Sequence, residues 1–390
     1  MALCITSFME IITKNYLAPN VVIFLFMVSL IIGITSMGTT KTKKRSNQTH
    51  QLHNFWSRHK RLRNWLIGII SGIILLIAAI YIAFQVSPWP GALLIRYEFD
   101  KNGTKVAQAM EKHVPAGVAQ IENQQYRPND KDGYLDVFYP DKTAKPLPTV
   151  VWVHGGAWVS GDKNNIDNYL KIIASRGYTA VGVDYTIAPE AQYPTPLLQL
   201  SDALTYLQQN AKRLNIDADN IILAGDSAGS QIVAQMGTII TNPTYAHEVD
   251  IRPVLAADKL KGVVLNCGAY DLALADYNGP FGGFLKTVLW AYSGKKDFLN
   301  DPQLKTASVV NYVTKDFPPA FITAGNTDPL LPQSLEFAKK LKDLGVPTST
   351  LFYPVDHQPP LNHEYQFNLD TPDGQQALSQ ILQFLQTRSS

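Results

Sequence analysis

A serine at the centre of a glycine-flanked pentapeptide is the strongest chemical signal in the sequence. Ser227 lies in Gly225-Asp226-Ser227-Ala228-Gly229, between a predicted buried strand, Asn220–Ala224, and a predicted helix, Ala228–Ile240. Glycines two positions either side permit a sharp turn that exposes the hydroxyl close to the helix N-terminus. Ser227 is therefore a candidate nucleophile for attack on a carbonyl group. Because glycine makes up about 7% of average sequences, the pattern alone arises in roughly a tenth of chains this long, so its surroundings must decide.

A loop that contains two glycines lies about seventy residues before this serine. Predicted strand Thr149–Val153 runs directly into His154-Gly155-Gly156-Ala157-Trp158. The amides of Gly155 and Gly156, together with that of Ala228, are predicted to form an oxyanion hole, in which the loss of one donor typically costs about 3 to 4 kcal/mol of barrier. His154 stands at the end of a strand, and we expect it to brace the loop through a hydrogen bond rather than to act as a base.

A nucleophilic serine needs a carboxylate that orients its histidine, and the chain order serine, acid, histidine suits this type of turn. Asp328 fits the acid, because it follows an apolar strand that ends in a glycine turn, at the carboxyl edge of the predicted sheet. Asp271, after the preceding strand, is the alternative acid, although an aspartate there also suits the capping of a turn.

Two histidines follow the last predicted strand, and the sequence does not fully separate them as the base. His363 is preferred, because an aromatic residue and the final helix follow it. His357 precedes Gln358-Pro359-Pro360 and is read as a surface or lid residue. Glu364 is expected to be a solvated neighbour of the base.

These motifs resemble the hormone-sensitive-lipase-like branch of the α/β-hydrolase superfamily over about Tyr134 to Leu385. That resemblance implies an α/β-hydrolase fold and the hydrolysis of carboxylic esters. Ala157 is a departure, because many members carry a third glycine there, and it leaves the substrate preference of the loop open. The resemblance rests on His154-Gly155-Gly156, Asp184-Tyr185, Ala188-Pro189-Glu190, Tyr193-Pro194, Gly225 to Gly229 and Asp328-Pro329-Leu330.

Alternating strand and helix patterns must position these residues. The middle strands are apolar without alternation, as in parallel strands that are covered on both faces, so the pattern predicts an α/β fold with a mostly parallel sheet. The predicted strands are Tyr134–Tyr139, Thr149–Val153, Thr179–Tyr185, Asn220–Ala224, Leu260–Leu265, Ala320–Ala324 and Thr348–Tyr353, and the predicted helices are Asp167–Ser175, Leu197–Leu214, Ala228–Ile240, Gln333–Leu344 and Gly374–Gln386.

One connection is too long to join two strands directly, and it predicts a small cap over the serine. Residues 270–311 carry the aromatic residues Phe281, Phe284, Trp290 and Tyr292. Phe284 and Trp290, with Trp158 of the glycine loop, are the predicted substrate-binding residues, although packing of the insertion onto the sheet explains any single aromatic equally well. An aromatic cap favours a short acyl or aryl ester.

Two apolar segments precede the α/β region. Val21–Met37 and Trp65–Phe84 are each long enough to cross a hydrocarbon layer of about 30 Å as a helix, and the second is the stronger candidate. The loop between them carries eight lysines and arginines and no acidic residue, which places it in the cytoplasm and the domain after Phe84 outside. Met37 is an alternative start that leaves one signal-anchor helix and the same topology.

Composition excludes several other classes of protein. The net charge is +2 over 390 residues, so no global field marks a nucleic-acid binder. The chain has two cysteines, Cys4 and Cys267, and they lie in regions that indicate different environments, which excludes a disulfide framework and a cysteine-rich metal site. We therefore expect no metal, organic cofactor or nucleic-acid partner, and the expected partners are a small-molecule ester and the lipid bilayer.

The sequence thus predicts a serine hydrolase of carboxylic esters at the cell membrane, with an extracytoplasmic catalytic domain. Acyl transfer to a cell-envelope acceptor, peptide hydrolysis and an inactive hydrolase fold used as a binding module remain alternatives. The predicted organisation is an N-terminal segment (1–20), a candidate transmembrane helix (21–37), a basic cytoplasmic loop (38–64), a transmembrane helix (65–84), a linker (85–113) and the hydrolase domain (114–390) with its cap at 270–311.

Overall fold

The computed structural model describes residues 58–143 and 145–389. The predicted N-terminal segment, the first apolar segment and most of the basic loop lie outside the described residues. The chain divides into two compact units, one that ends at Pro90 and one that begins at Gly91.

The first unit contributes a single described helix, α1 (Lys60–Val86). Its apolar residues run all round the helix, none of them is buried, and several large side chains such as Trp65 and Leu75 are exposed. Within the described residues, α1 is the one helix long and apolar enough to cross a membrane, on the criteria of length and composition.

An eight-stranded sheet forms the centre of the second unit, in the order β1-β2-β4-β3-β5-β6-β7-β8. β1 and β2 are antiparallel to their neighbours, while every pair from β4 to β8 is parallel. The strands are β1 (Val118–Gln125), β2 (Tyr134–Pro140), β3 (Leu147–Val153), β4 (Thr179–Val183), β5 (Ile216–Asp226), β6 (Leu260–Asn266), β7 (Ala320–Ala324) and β8 (Thr348–Phe352).

Helices cover both faces of this sheet, and two apolar clusters lie between the layers. The central strands β3 to β7 are buried on both faces, which explains their unbroken apolar sequence. After α2 (Trp89–Met110) come α3 (Asp167–Ala174), α4 (Thr195–Gln209), α5 (Ser227–Thr241), α6 (Pro243–Glu248), α7 (Gly282–Ser293), α8 (Pro302–Lys305), α9 (Leu331–Asp343) and α10 (Pro372–Arg388).

The segment between the apolar helix and the sheet differs from its prediction as a linker with a short helix. It forms the 22-residue helix α2, in which Ala92, Ile95 and Met110 are buried. Its sequence has an apolar beginning and a mainly polar middle and carries two glycines, which masks the helical periodicity, so tertiary packing rather than propensity sets its length. The half-exposed strand β1 also escaped prediction, because its apolar residues are few.

Hydrogen bonds from Arg96 connect α2 to the loops that follow β3 and β4. Its guanidinium makes two hydrogen bonds to the Glu190 carboxylate, of 2.7 and 2.6 Å, and donates to the carbonyls of Val159 at 2.7 Å and Ala188 at 2.9 Å. The bidentate pair holds the pKa of Glu190 below its usual range, because hydrogen bonding to Arg96 favours the carboxylate. α2 is thereby joined to both the glycine loop and the loop after β4.

The close approach of α5 to the sheet gives a test of this packing. A Cβ at Gly229 would collide with the carbonyl oxygen of Val153, so Gly229→Ala should lower the free energy of unfolding by about 1–3 kcal/mol. The measurement is chemical denaturation of the full chain in detergent.

Gly283→Ala is the matched control, because no heavy atom lies within 4 Å of where its Cβ would be. Alanine is the better helix former, so this variant should be as stable as the parent or slightly more stable. Equal destabilisation by the two substitutions would contradict the assigned role of Gly229.

Candidate active site

The turn from β5 into α5 presents Ser227 at the carboxyl edge of the sheet. Ser227 has a φ of +50°, a left-handed conformation that non-glycine residues rarely adopt. A Cβ at Gly225 would lie 2.6 Å from the carbonyl carbon of Gly229, so both glycines are required by the contact between strand and helix. The turn therefore stores strain at the residue whose hydroxyl it exposes.

His363 connects this serine to a carboxylate. Its Nε2 lies 2.9 Å from Ser227 Oγ, and its Nδ1 lies 2.9 Å from Asp328 Oδ2. Asp328 is 4% exposed and follows β7, while His363 lies in the segment between β8 and α10. Burial disfavours the charged imidazole, but Asp328 and Cys267 together more than offset this effect and raise the pKa of His363 well above its ordinary value. The three residues have the mutual contacts of a nucleophile, a base and an orienting acid.

The alternative acid, Asp271, and the alternative base, His357, contact other residues. Asp271 accepts a hydrogen bond of 2.8 Å from the Ala273 amide and caps a short helical turn. His357 Nε2 lies 3.1 Å from Asp373 Oδ1, at the start of α10, and its ring packs against Tyr353. Neither residue contacts Ser227.

The glycine loop requires a correction to the predicted set of oxyanion donors. The Gly155 amide donates to Asp226 Oδ2 at 2.8 Å, so it is engaged inside the protein rather than directed at a substrate. Within the described residues, the next two amides, of Gly156 and Ala157, have no acceptor. The first amides of α5, including that of Ala228, also have no acceptor within the helix. The sequence missed Ala157 because alanine carries no glycine signal, although its φ is +54°.

His154 stabilises the glycine loop through a hydrogen bond, as predicted. Its Nδ1 donates to the Gly155 carbonyl at 2.8 Å, and its ring stacks on Tyr185 with centroids 4.3 Å apart. The Tyr185 hydroxyl donates in turn to the His154 carbonyl at 3.2 Å. Burial lowers the pKa of His154 to about 4, so the imidazole is neutral at neutral pH.

The predicted substrate-binding aromatics occupy two different environments. Trp158 is 6% exposed and stacks on Tyr292 with centroids 4.8 Å apart, so its ring is part of the packed interior. Phe284 and Trp290 are half-buried on α7, and the Phe284 ring lies 5.8 Å from that of Phe99 on α2. The structure thus brings α2 and the predicted cap together.

Cys267 is a neighbour of the histidine that the sequence did not identify. It follows β6 with a φ of +44°, and burial raises the pKa of its thiol to about 11. Donor atoms of Cys267, Asp328 and His363 lie within 4.8 Å of one another. Both imidazole nitrogens already face Ser227 and Asp328, so we assign this group to the serine site and not to a metal.

Comparison with known proteins agrees with this architecture. The sequence model of the BD-FAE family matches residues 135–341, which is more than half of the chain. A putative alpha/beta hydrolase of Acanthamoeba polyphaga mimivirus is 28% identical over 230 residues, 57% of this chain and 64% of its own length. Esterase LipC of Mycobacterium tuberculosis is 29% identical over 224 residues, 55% of this chain and 53% of its own length. The chain thus spans between about half and two thirds of these two relatives.

Solved structures extend the similarity over most of the described chain. Esterase B from Lactobacillus rhamnosis superimposes with a TM-score of 0.67 and 23% identity, covering 77% of this chain and 97% of that chain. This likeness concerns the fold. The BD-FAE match over more than half of the chain shows that the protein belongs to the BD-FAE family, and the structural likeness agrees with an α/β-hydrolase fold.

Proposed function

We propose that this protein is a serine hydrolase of carboxylic esters. The observation that carries the proposal is the continuous contact of Ser227 Oγ, the His363 imidazole and Asp328, with 2.9 Å at each step. His363 takes the proton of Ser227 as the hydroxyl attacks the ester carbonyl, and it returns that proton to the departing alcohol. Water then hydrolyses the acyl-enzyme by the same route.

Charge on the substrate oxygen is stabilised by backbone amides in this mechanism. We assign the donors to Gly156, Ala157 and Ala228, because the Gly155 amide is occupied by Asp226. Within the described residues the Gly156 and Ala157 amides have no acceptor in the protein, so both are available to an anion. Each such donor typically contributes about 3 to 4 kcal/mol to the barrier reduction.

A small ester is the substrate class that fits the site. The curated relatives include proteins named as esterases, and one of them, from Salmonella dublin, is named an acetyl esterase. Phe284 and Trp290 on α7 are the proposed walls for the substrate. The half-buried position of both rings leaves part of each surface available for contact.

Covalent labelling tests the nucleophile. A fluorophosphonate should modify Ser227 in the detergent-solubilised full chain, and Ser227→Ala should abolish labelling and lower kcat on a p-nitrophenyl ester by roughly 10⁴ to 10⁶-fold. Ser175→Ala, at the end of α3, is the matched control and should retain labelling. A wild-type protein that neither labels nor hydrolyses esters would sink the proposal and favour a binding module.

Substitution of the two histidines tests the base. His363→Ala should abolish turnover, because no other imidazole contacts Ser227 among the described residues. His357→Ala removes the contacts with Asp373 and Tyr353, neither of which involves Ser227, and should retain most of the activity. Turnover of the same p-nitrophenyl ester is measured for both variants, and loss of activity in His357→Ala alone would contradict the assignment.

The membrane anchor is a separate proposal, and α1 supports it. α1 has 27 residues and no buried side chain, so a bilayer would cover an apolar surface that is otherwise exposed to water. The basic residues that precede α1 in the sequence favour a cytoplasmic N-terminal side and an outer catalytic domain.

Protease accessibility tests this topology. Protease added to intact cells should degrade a C-terminally tagged chain, because the domain that carries the tag is expected outside. A cytoplasmic marker protein should stay intact until lysis. A tag that remains protected until the cells are lysed would overturn the outside placement while leaving the esterase proposal unaffected.

A further inference from the structure

A buried carboxyl group and a half-buried one lie beside the serine site without being part of its hydrogen-bond chain. Asp226 precedes Ser227 in the sequence and is 3% exposed. Glu364 follows His363, and its side chain is 19% exposed. The sequence predicted Glu364 to be a solvated neighbour, so its position inside the site is a departure from that prediction.

The Asp226 carboxylate is held from three sides. Its Oδ1 accepts a hydrogen bond of 2.7 Å from the Trp152 indole on β3, and its Oδ2 accepts one of 2.8 Å from the Gly155 amide. Glu364 is the third polar neighbour, and its carboxyl group faces that of Asp226 closely enough for a hydrogen bond between the two side chains. A Cβ at Gly155 would lie 3.0 Å from Glu364 Oε1 and collide with Asp226 Oδ2, so both carboxyl groups lie against the same glycine.

Glu364 reaches this position through an unusual backbone conformation. Its φ is +61°, which turns the side chain back toward the sheet from the segment that carries the base. Its Oε1 then lies 3.9 Å from His363 Nε2. A left-handed conformation is strained for a glutamate, and the contacts of its carboxyl group offset that strain.

A hydrogen bond between two carboxyl groups requires a proton on one of them. We propose that Asp226 and Glu364 share one proton and form a clasp that holds the nucleophile turn, the glycine loop and the base in register. Glu364 is a positioning residue in this scheme, since it acts through Asp226 and Gly155 and touches no substrate atom. The inference rests on the proposed esterase function of Ser227.

The surroundings of the clasp favour the shared proton. Burial, followed by the nearby Glu364 charge, raises the pKa of Asp226 well above its ordinary 3.8. The other titratable groups that face the clasp are His363, the neutral His154, and the hydroxyls of Tyr169 and Tyr185, whose pKa values burial raises. Asn102 and Asn165 line a cavity of about 70 Å³ beside the clasp, which has room for water and hence for proton exchange.

The clasp makes stability and activity depend on pH in a defined direction. A carboxyl group whose pKa is raised on folding stabilises the native state below its unfolded pKa, and this contribution is lost as the pH rises through the folded value. Above that value both groups are charged and repel each other across Gly155. The alkaline side of the kcat profile should therefore fall as the glycine loop and the base lose their register.

Two substitutions at one position separate the clasp from simple packing. Glu364→Leu leaves Asp226 without its partner and should lower kcat by roughly tenfold to a hundredfold, with KM much less changed. Glu364→Gln donates an amide hydrogen to a charged Asp226 and should recover part of that loss. Because the Glu364→Gln variant needs no shared proton, its kcat should not fall at alkaline pH.

The profiles are measured on a p-nitrophenyl ester from about pH 6 to about pH 10, with the full chain in detergent. Glu336→Gln, on the exposed side of α9, is the matched control and should keep the wild-type profile. Thermal unfolding of every variant shows whether Glu364→Leu still folds. If it does not fold, the alkaline limb of Glu364→Gln alone decides.

Each outcome has one meaning. Wild-type alkaline behaviour in Glu364→Gln, or wild-type kcat in folded Glu364→Leu, would overturn the clasp. Fluorophosphonate labelling of Ser227 is followed in the same preparations. If the wild type fails to label, the esterase proposal itself fails, whereas a labelled and active wild type with unaffected Glu364 variants refutes the clasp alone.

Discussion

The close approach of α5 to the central strands is the constraint on which the site depends. Gly229 lies against the carbonyl of Val153, and Gly225 lies against Gly229 itself, so the helix begins directly on the edge of the sheet. Between these two glycines Ser227 has a left-handed conformation, with its hydroxyl at the carboxyl edge of the sheet. A helix held one methyl group further away would remove the strain and would also lower the serine.

The parallel sheet brings the residues of the site to one edge. β3, β5 and β7 all run in the same direction, so the glycine loop, Ser227 and Asp328 all follow the carboxyl ends of strands. His363 comes from the segment after β8 and completes the group. α2 is fixed to the same edge by the fork of Arg96, which reaches both the glycine loop and the segment that contains Glu190.

Local sequence patterns were sufficient for the central part of the molecule. The strands from β3 to β7 are apolar and short, and the turn at Ser227 carries its own glycine signature, so periodicity and spacing predict both. The length of α2 could not be predicted, because Arg96, Ala92 and Ile95 stabilise the helix through contacts with residues that are distant in the sequence. The same reason hid the engaged amide of Gly155 and the inward turn of Glu364, since each depends on the buried carboxylate of Asp226.

Five non-glycine residues of the site have left-handed backbone conformations. They are Ala157, Trp158, Ser227, Cys267 and Glu364, with φ values of +54°, +59°, +50°, +44° and +61°. At of order 1–3 kcal/mol each, their combined strain is comparable to the whole net stability of many domains. Glycine at such positions would make the fold more stable. Ala157 is the position where many members of the family that the sequence resembles carry a glycine. This chain instead keeps a methyl group on a strained loop, which limits the loop's freedom to relax. Substitution by glycine in this loop would therefore stabilise the fold. The same substitution would also directly alter the candidate site.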